Sequence, residues 1–425
     1  MASINELSVA ALEARLAELQ NEYTAFCEKG LHLDMSRGKP GADLLKLAPG
    51  LLDCVSEQSG YLAENGFDTR NYGILDGIPE AKKLFADIFG VSPDNVIVGG
   101  SSSLNLMFDY IATAYAKGIC GNEPWVKQGT CKFLCPVPGY DRHFGVTEYF
   151  GLEMINVPLK DGGPDMDLVE ELVKDPLVKG MWCVPMYANP TGLTYTDETV
   201  RRLAALKPAA EDFRIMWDNA YCLHHLSDDQ DTLLNIFDAA KEVGNEDIVV
   251  SFTSTSKVSF PGSGVAAIAA SAKNIADIKK RMTVQTIGFD KINMLRHVRY
   301  FKNLDGIKAQ MKLRADVLRP KFETVLRLLD ERLGGKDVAE WTNPRGGYFI
   351  CVDLVDGCAT RVATLMKDAG VVITGAGATF PYHKDPRDRN LRLAPSYPPV
   401  EELELSATLF CICAEMAAIE KKLGK

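Results

Sequence analysis

Four short runs in this chain place reactive side chains at the ends of apolar segments. They are Asn189-Pro190-Thr191-Gly192, Asp218-Asn219-Ala220-Tyr221, Ser254-Thr255-Ser256-Lys257 and Asn390-Leu391-Arg392-Leu393. Each alone has an ordinary explanation: a turn, a capping aspartate, a loop lysine or a surface salt bridge. Together they hold a lysine able to form a Schiff base and a carboxylate able to keep a ring nitrogen protonated. They also hold an asparagine and a tyrosine that can bind a phenolate, and an arginine fork that matches a carboxylate. A Gly100-Ser101-Ser102 turn follows one apolar segment and opens a helical one. Free N–H groups and the helix dipole favour an anion there.

This is what a site for pyridoxal phosphate (PLP) requires. A free lysine amine with a pKa of about 10.4 is mostly protonated and not nucleophilic at neutral pH. Bound to the cofactor as an imine, Lys257 becomes a leaving group, and once released it can move a proton as a general base. A negative charge at Asp218 keeps the ring able to take up electrons. The flanking Leu391 and Leu393 predict a strand that turns Arg392 to the opposite face.

The order and spacing of the four runs resemble the fold type I aminotransferases of class I/II, and most of all the divergent aspartate aminotransferases of subgroup Ic. The resemblance runs from about Leu33 to about Pro398. It implies that Lys257 carries PLP, Asp218 holds the pyridine nitrogen, Tyr221 and Asn189 bind the phenolate oxygen, and Arg392 clamps the substrate α-carboxylate. Pro138-Gly139-Tyr140 is similar to the segment whose aromatic stacks on the cofactor, and His143 to the group supporting Asp218. Ser254, with Gly100, Ser101 and Ser102, is implied for the phosphate. Tyr72, in Arg70-Asn71-Tyr72-Gly73, is implied to reach the phosphate of a neighbouring subunit, hence a homodimer. Ser36-Arg37-Gly38-Lys39-Pro40 resembles a loop lining the substrate pocket. Arg37 is then the candidate for a distal carboxylate, with Arg142 and Arg296 in reserve. One departure is that most members have an arginine soon after the lysine, whereas residues 258–265 contain none. The phosphate is left to Ser254, Ser101, Ser102 and Ser263 and to a cation from elsewhere.

The implied activity is transamination, with aspartate and 2-oxoglutarate as the expected pair. A different amino donor, or a PLP lyase or decarboxylase on the same fold, is the alternative. An aminotransferase-like half of a transcription regulator would need an added basic DNA-binding unit, and none is expected here.

These side chains need a scaffold. Short apolar runs at 95–98, 132–135, 153–157, 180–185, 214–217 and 248–252 read as buried strands, with helical segments between several of them. That alternation predicts an α/β fold whose large domain has a mostly parallel sheet covered by helices on both faces. In such sheets ligands bind beyond the carboxyl ends of the strands, where the reactive runs fall. A helix is expected from Asn5 to Glu28, with Ser3 to Glu6 as its capping box, and a long one from about Ile307 to Leu333. The expected layout is a large PLP-binding domain over 51–305 and a smaller α/β domain from 306–425, joined by residues 1–50.

Length and composition agree. A chain of 425 residues exceeds one simple core. Its 46% hydrophobic and 24% charged content is ordinary for a globular protein. A net charge of −10 argues against nucleic acid. No signal peptide or membrane-spanning run is read. The 11 scattered cysteines lack metal-site spacing, and reduced thiols in a cytoplasm are expected.

Overall fold

The computed structural model describes residues 3–425. Strand β1 (Leu33–Asp34) precedes the main sheet, which is built from β2 (Val96–Val98), β3 (Lys132–Val137), β4 (Glu153–Lys160), β5 (Gly163–Pro164), β6 (Val178–Cys183), β7 (Arg214–Asp218), β8 (Val249–Ser254) and β9 (Ala266–Ala270). Their spatial order is β2-β9-β8-β7-β6-β3-β4-β5. Strands β4, β3, β6, β7 and β8 run parallel. Every residue of β6 and β7 is buried, as expected of strands covered on both faces.

Strand β9 was not legible as a strand and runs against both neighbours, β8 and β2. Its sequence, Ala-Ala-Ile-Ala-Ala, lacks the β-branched and aromatic residues that mark strands. All five positions are buried, so small side chains suit it. Because β9 reverses direction twice over, β2 points the same way as the parallel set. The loops after β2, β3, β6, β7 and β8 therefore open on one edge.

A second sheet holds β10 (Ala339–Trp341), β11 (Ile350–Leu354) and β13 (Asn390–Leu393), while β12 (Val371–Val372) pairs in parallel with β1. The N-terminal segment thus joins the C-terminal unit. The long helix spans Leu304–Leu333, three residues earlier than expected, because the Asn303 side chain caps it at the Gly306 N–H.

The first helix spans Val9–Cys27, and its cap is Ser8, whose hydroxyl accepts from the Ala11 N–H. The capping box expected at Ser3 to Glu6 does not form. The Ser3 hydroxyl instead donates to Asp337, and the Ile4 N–H bonds the Lys336 carbonyl at 3.0 Å. Ile4 is buried there, so the leading residues serve as a tether rather than a helical turn. Among the described residues no helix is long and apolar enough to cross a membrane.

A buried charge cluster ties the two chain ends together. Glu415, on the last helix (Val400–Lys422), accepts from Arg15 Nε at 2.9 Å, Arg15 Nη2 at 3.0 Å and Lys336 Nζ at 2.8 Å. Burial alone would raise its pKa, but these bonds hold the carboxyl below the ordinary glutamate range. Glu415→Ala should destabilise the protein by about 3–5 kcal/mol, because it strands Lys336 as a buried unpaired charge. Urea denaturation at neutral pH checks this. A depressed carboxyl stabilises fully above its unfolded pKa and loses that contribution as pH falls through the folded one. The gap between wild type and variant should therefore shrink below about pH 4.

Candidate active site

Strands β7 and β8 pair with Asp218 opposite Phe252, and the Asn219 N–H donates to the Phe252 carbonyl at 2.8 Å. That register presents Asp218 at the sheet edge. The carboxylate is buried, and only one of its oxygens is partnered. Oδ2 lies 3.0 Å from His143 Nε2, while Oδ1 is buried with no hydrogen-bond partner. His143 is held in turn by stacking on Trp182, with ring centroids 4.3 Å apart and 9° between planes. A buried carboxylate oxygen without a partner is costly, and an N–H donor from a ligand would satisfy it. The protonated nitrogen of a pyridine ring is such a donor.

Lys257 follows β8, and its Nζ lies 4.3 Å from the centroid of the Tyr221 ring. Tyr221 is buried, and burial together with the nearby Asp218 charge raises its pKa above the ordinary tyrosine range. It stays a phenol, able to donate to a phenolate oxygen. Tyr140, half-buried beside His143, is likewise pushed up to about 12, mainly by burial.

The anion seat is built from two loops. Gly100 takes φ +71°, a left-handed turn that glycine permits, after which the helix Ser103–Lys117 begins. Its capping residue, Ser102, makes no side-chain bond to the helix, so hydroxyl and N–H groups are available. The Ser256 hydroxyl donates to the Ser101 carbonyl at 3.0 Å, and Ser254 donates to Ser256 at 3.2 Å. The serines singled out on either side of the site thus meet. Ser263 is an exception: its hydroxyl is taken by Asn293 Oδ1 at 3.1 Å.

Arg392, buried on β13, reaches the same crevice. Its Nη1 donates to Asn189 Oδ1 at 2.9 Å and to Asp141 Oδ1 at 3.0 Å. Nε and Nη2 point at the Thr374 hydroxyl at 3.4 and 3.3 Å, and Thr374 donates to the Ser36 carbonyl. The Phe349 ring lies 4.7 Å from the guanidinium carbon. A Cβ on Gly38 would come within 2.2 Å of that ring, so only glycine lets the 36–40 loop pack there. Loop, ring and fork form one wall. Arg37 itself is exposed and makes no ion pair among the described residues. Arg142 is exposed, and Arg296 is half-buried with its Nε unpartnered.

Tyr72 is 78% exposed. Four residues with no mark in the sequence also belong to the site. Tyr348 donates to the Lys257 carbonyl at 3.3 Å. His224 packs edge-on against Tyr221 and Tyr348, and burial, with Lys257 nearby, lowers its pKa well below the ordinary histidine value. It is a neutral, dry ring beside the lysine. Thr374 and Asp141 complete the group; only the side-chain contacts of the folded chain bring them in.

Comparison with known proteins agrees with this arrangement. A family model described as "Aspartate amino-transferase" matches residues 7–425. The chain belongs to that family. Its members are PLP-dependent aminotransferases, and this protein is one of them. It is 47% identical over 407 residues to an aspartate aminotransferase of Corynebacterium glutamicum, spanning 95% of this chain and 93% of that protein. The crystal structure of an aspartate transaminase from C. glutamicum superposes with a TM-score of 0.96, covering 99% of each chain at 45% identity. The α-aminoadipate aminotransferase LysN of Thermus thermophilus, complexed with N-(5'-phosphopyridoxyl)-L-leucine, shares the fold at a TM-score of 0.74 and 20% identity, over 94% of this chain and 95% of that one.

The unpartnered Asp218 oxygen generates a direct test. Asp218→Asn keeps the shape and removes the charge. Turnover should fall by well over about tenfold, since each tenfold is 1.36 kcal/mol of barrier. Steady-state kinetics on PLP-saturated enzyme decide it; a smaller loss would remove Asp218 from the role.

Proposed function

We propose that this aminotransferase moves the amino group of aspartate to 2-oxoglutarate, as a cytoplasmic homodimer. The observation that carries the PLP chemistry in this reading is the buried Asp218 carboxylate, with one oxygen on His143 and the other without a partner. PLP, when bound, supplies an electron sink that stabilises negative charge developing at the substrate Cα. The chain supplies the rest. Asp218 holds the ring nitrogen protonated. Tyr221 and Asn189 bind the ring oxygen. Gly100, Ser101, Ser102 and Ser254 seat the phosphate. Lys257 holds the cofactor and carries the Cα proton. Arg392 grips the α-carboxylate and fixes which bond at Cα is aligned for cleavage.

Aspartate as donor is supported by the name of the 47% identical relative and by the exposed Arg37 at the pocket loop. The cytoplasm is supported by 11 free thiols, most of them buried, which suit a reducing compartment. The dimer is supported by the apolar side chains exposed around Tyr72. Ile287 and Val284 are 64% and 89% exposed, and a Cβ on Gly288 would come within 2.7 Å of the Gly73 carbonyl. Apolar groups gathered like this mark a contact surface. Sedimentation at twice the mass of one chain is the matching result; a monomer would oppose it.

A screen of amino donors against 2-oxoglutarate, with glutamate as product, tests the activity. Aspartate should give the highest kcat/KM. A lyase or decarboxylase would consume the donor without forming glutamate. Arg37→Ala should then lower the ratio of kcat/KM for aspartate to that for alanine, by about tenfold, the order of one charge-assisted hydrogen bond. An unchanged ratio would move the distal carboxylate to Arg142 or Arg296.

A further inference from the structure

Asp141 is a carboxylate that the chemistry above does not use, yet it sits on the group that holds the substrate. It is the first residue of the helix Asp141–Tyr149, between Tyr140 and His143 in sequence, where the helix dipole favours negative charge. Its Oδ1 accepts from Arg392 Nη1 at 3.0 Å. Its Oδ2 faces the other way, 4.0 Å from the Nε of the exposed Arg142.

The donors of Arg392 can be counted. A guanidinium has five N–H groups. Both on Nη1 are taken, by Asp141 and Asn189; Nε points at Thr374, and so does one of the pair on Nη2. One N–H remains. A carboxylate that binds side-on needs two parallel donors. The fork can therefore take a substrate α-carboxylate in that manner only if one of these partners moves, and Asp141, the one carboxylate among them, is the partner that a second carboxylate would replace.

We propose that Asp141 is a placeholder carboxylate. It occupies the α-carboxylate seat on Arg392 in the empty enzyme and turns to Arg142 when substrate arrives. The proposal rests on the reading of Arg392 as the clamp. Its physical basis is that Arg392 is buried and would be costly without a counter-charge. Asp141 supplies one until substrate arrives, and substrate binding becomes an exchange of one carboxylate for another. Affinity is lowered as a result. Ligands that bring no carboxylate cannot make the exchange, so Asp141 acts as a specificity-determining residue. Arg142 is the seat that keeps the displaced charge from repelling the ligand.

The test is titration of the PLP-loaded enzyme with maleate, an unreactive dicarboxylate, followed by calorimetry. Asp141→Asn and Asp141→Ala should both bind maleate more tightly, by about tenfold, the order of one charge-assisted hydrogen bond. Arg142→Ala should weaken maleate binding when Asp141 is present and have no effect in the Asp141→Asn background. Unchanged or weaker binding in both Asp141 variants, with the cofactor absorbance intact, would overturn the proposal and leave Asp141 as a support of the fork. Arg392→Ala separates the premise from the proposal. If it leaves maleate affinity unchanged, the clamp reading itself fails.

Discussion

The site depends on a buried negative charge that the protein satisfies only in part. Asp218 ends a strand whose residues are all buried, and taking a carboxylate out of water is unfavourable unless it is bonded. His143 meets one oxygen, and Trp182 fixes His143 by stacking. The second oxygen is buried with no hydrogen-bond partner, which a ligand N–H would supply. The Gly100 turn with Ser101, Ser102 and Ser254 would hold the cofactor's phosphate, and Asn189 and Tyr221 its ring oxygen. Those groups sit on loops at the same sheet edge because β9 reverses and leaves β2 aligned with the parallel strands.

A second constraint concerns the two chain ends. Arg392 lies on β13, far along the chain from the main sheet, and must be delivered to the crevice. The wall that delivers it is made of Thr374, Phe349 and the 36–40 loop. That loop is near the N-terminus, and β1 binds it to the C-terminal unit through β12. Glu415, bonded to Arg15 and Lys336, also fastens the two chain ends. The wall around Arg392 and the Glu415 cluster thus both draw on residues near the N-terminus, Ser36 in one and Arg15 in the other.

Much of this was legible in the sequence, for physical reasons. Strands covered on both faces are mostly apolar, so β6, β7 and β8 stood out even though Lys179 and Arg214 are buried within them. Reactive residues at their ends could only fall at the open edge of the sheet. The misses have reasons too. Strand β9 is nearly all alanine, a composition that follows from burial between two strands and carries no strand propensity. Ser3 and Glu6 have the spacing of a capping box, but Asp337, over 300 residues away, takes the Ser3 hydroxyl, and the Lys336 carbonyl holds the neighbouring Ile4 N–H. Tyr348, His224, Thr374 and Asp141 act through contacts between distant segments. No local spacing can report a bond from Asp141 to Arg392, since it exists only when the helix after β3 meets β13. The resemblance to a known family supplied roles for residues whose types alone left several alternatives open.

In this reading Lys257 alone would hold the cofactor beside the half-satisfied carboxylate of Asp218. The most direct measurement is borohydride reduction of the PLP-loaded enzyme, followed by peptide mass spectrometry. The reduced phosphopyridoxyl group should be fixed on Lys257 alone. A label on any other lysine, with Lys257 unmodified, would contradict it.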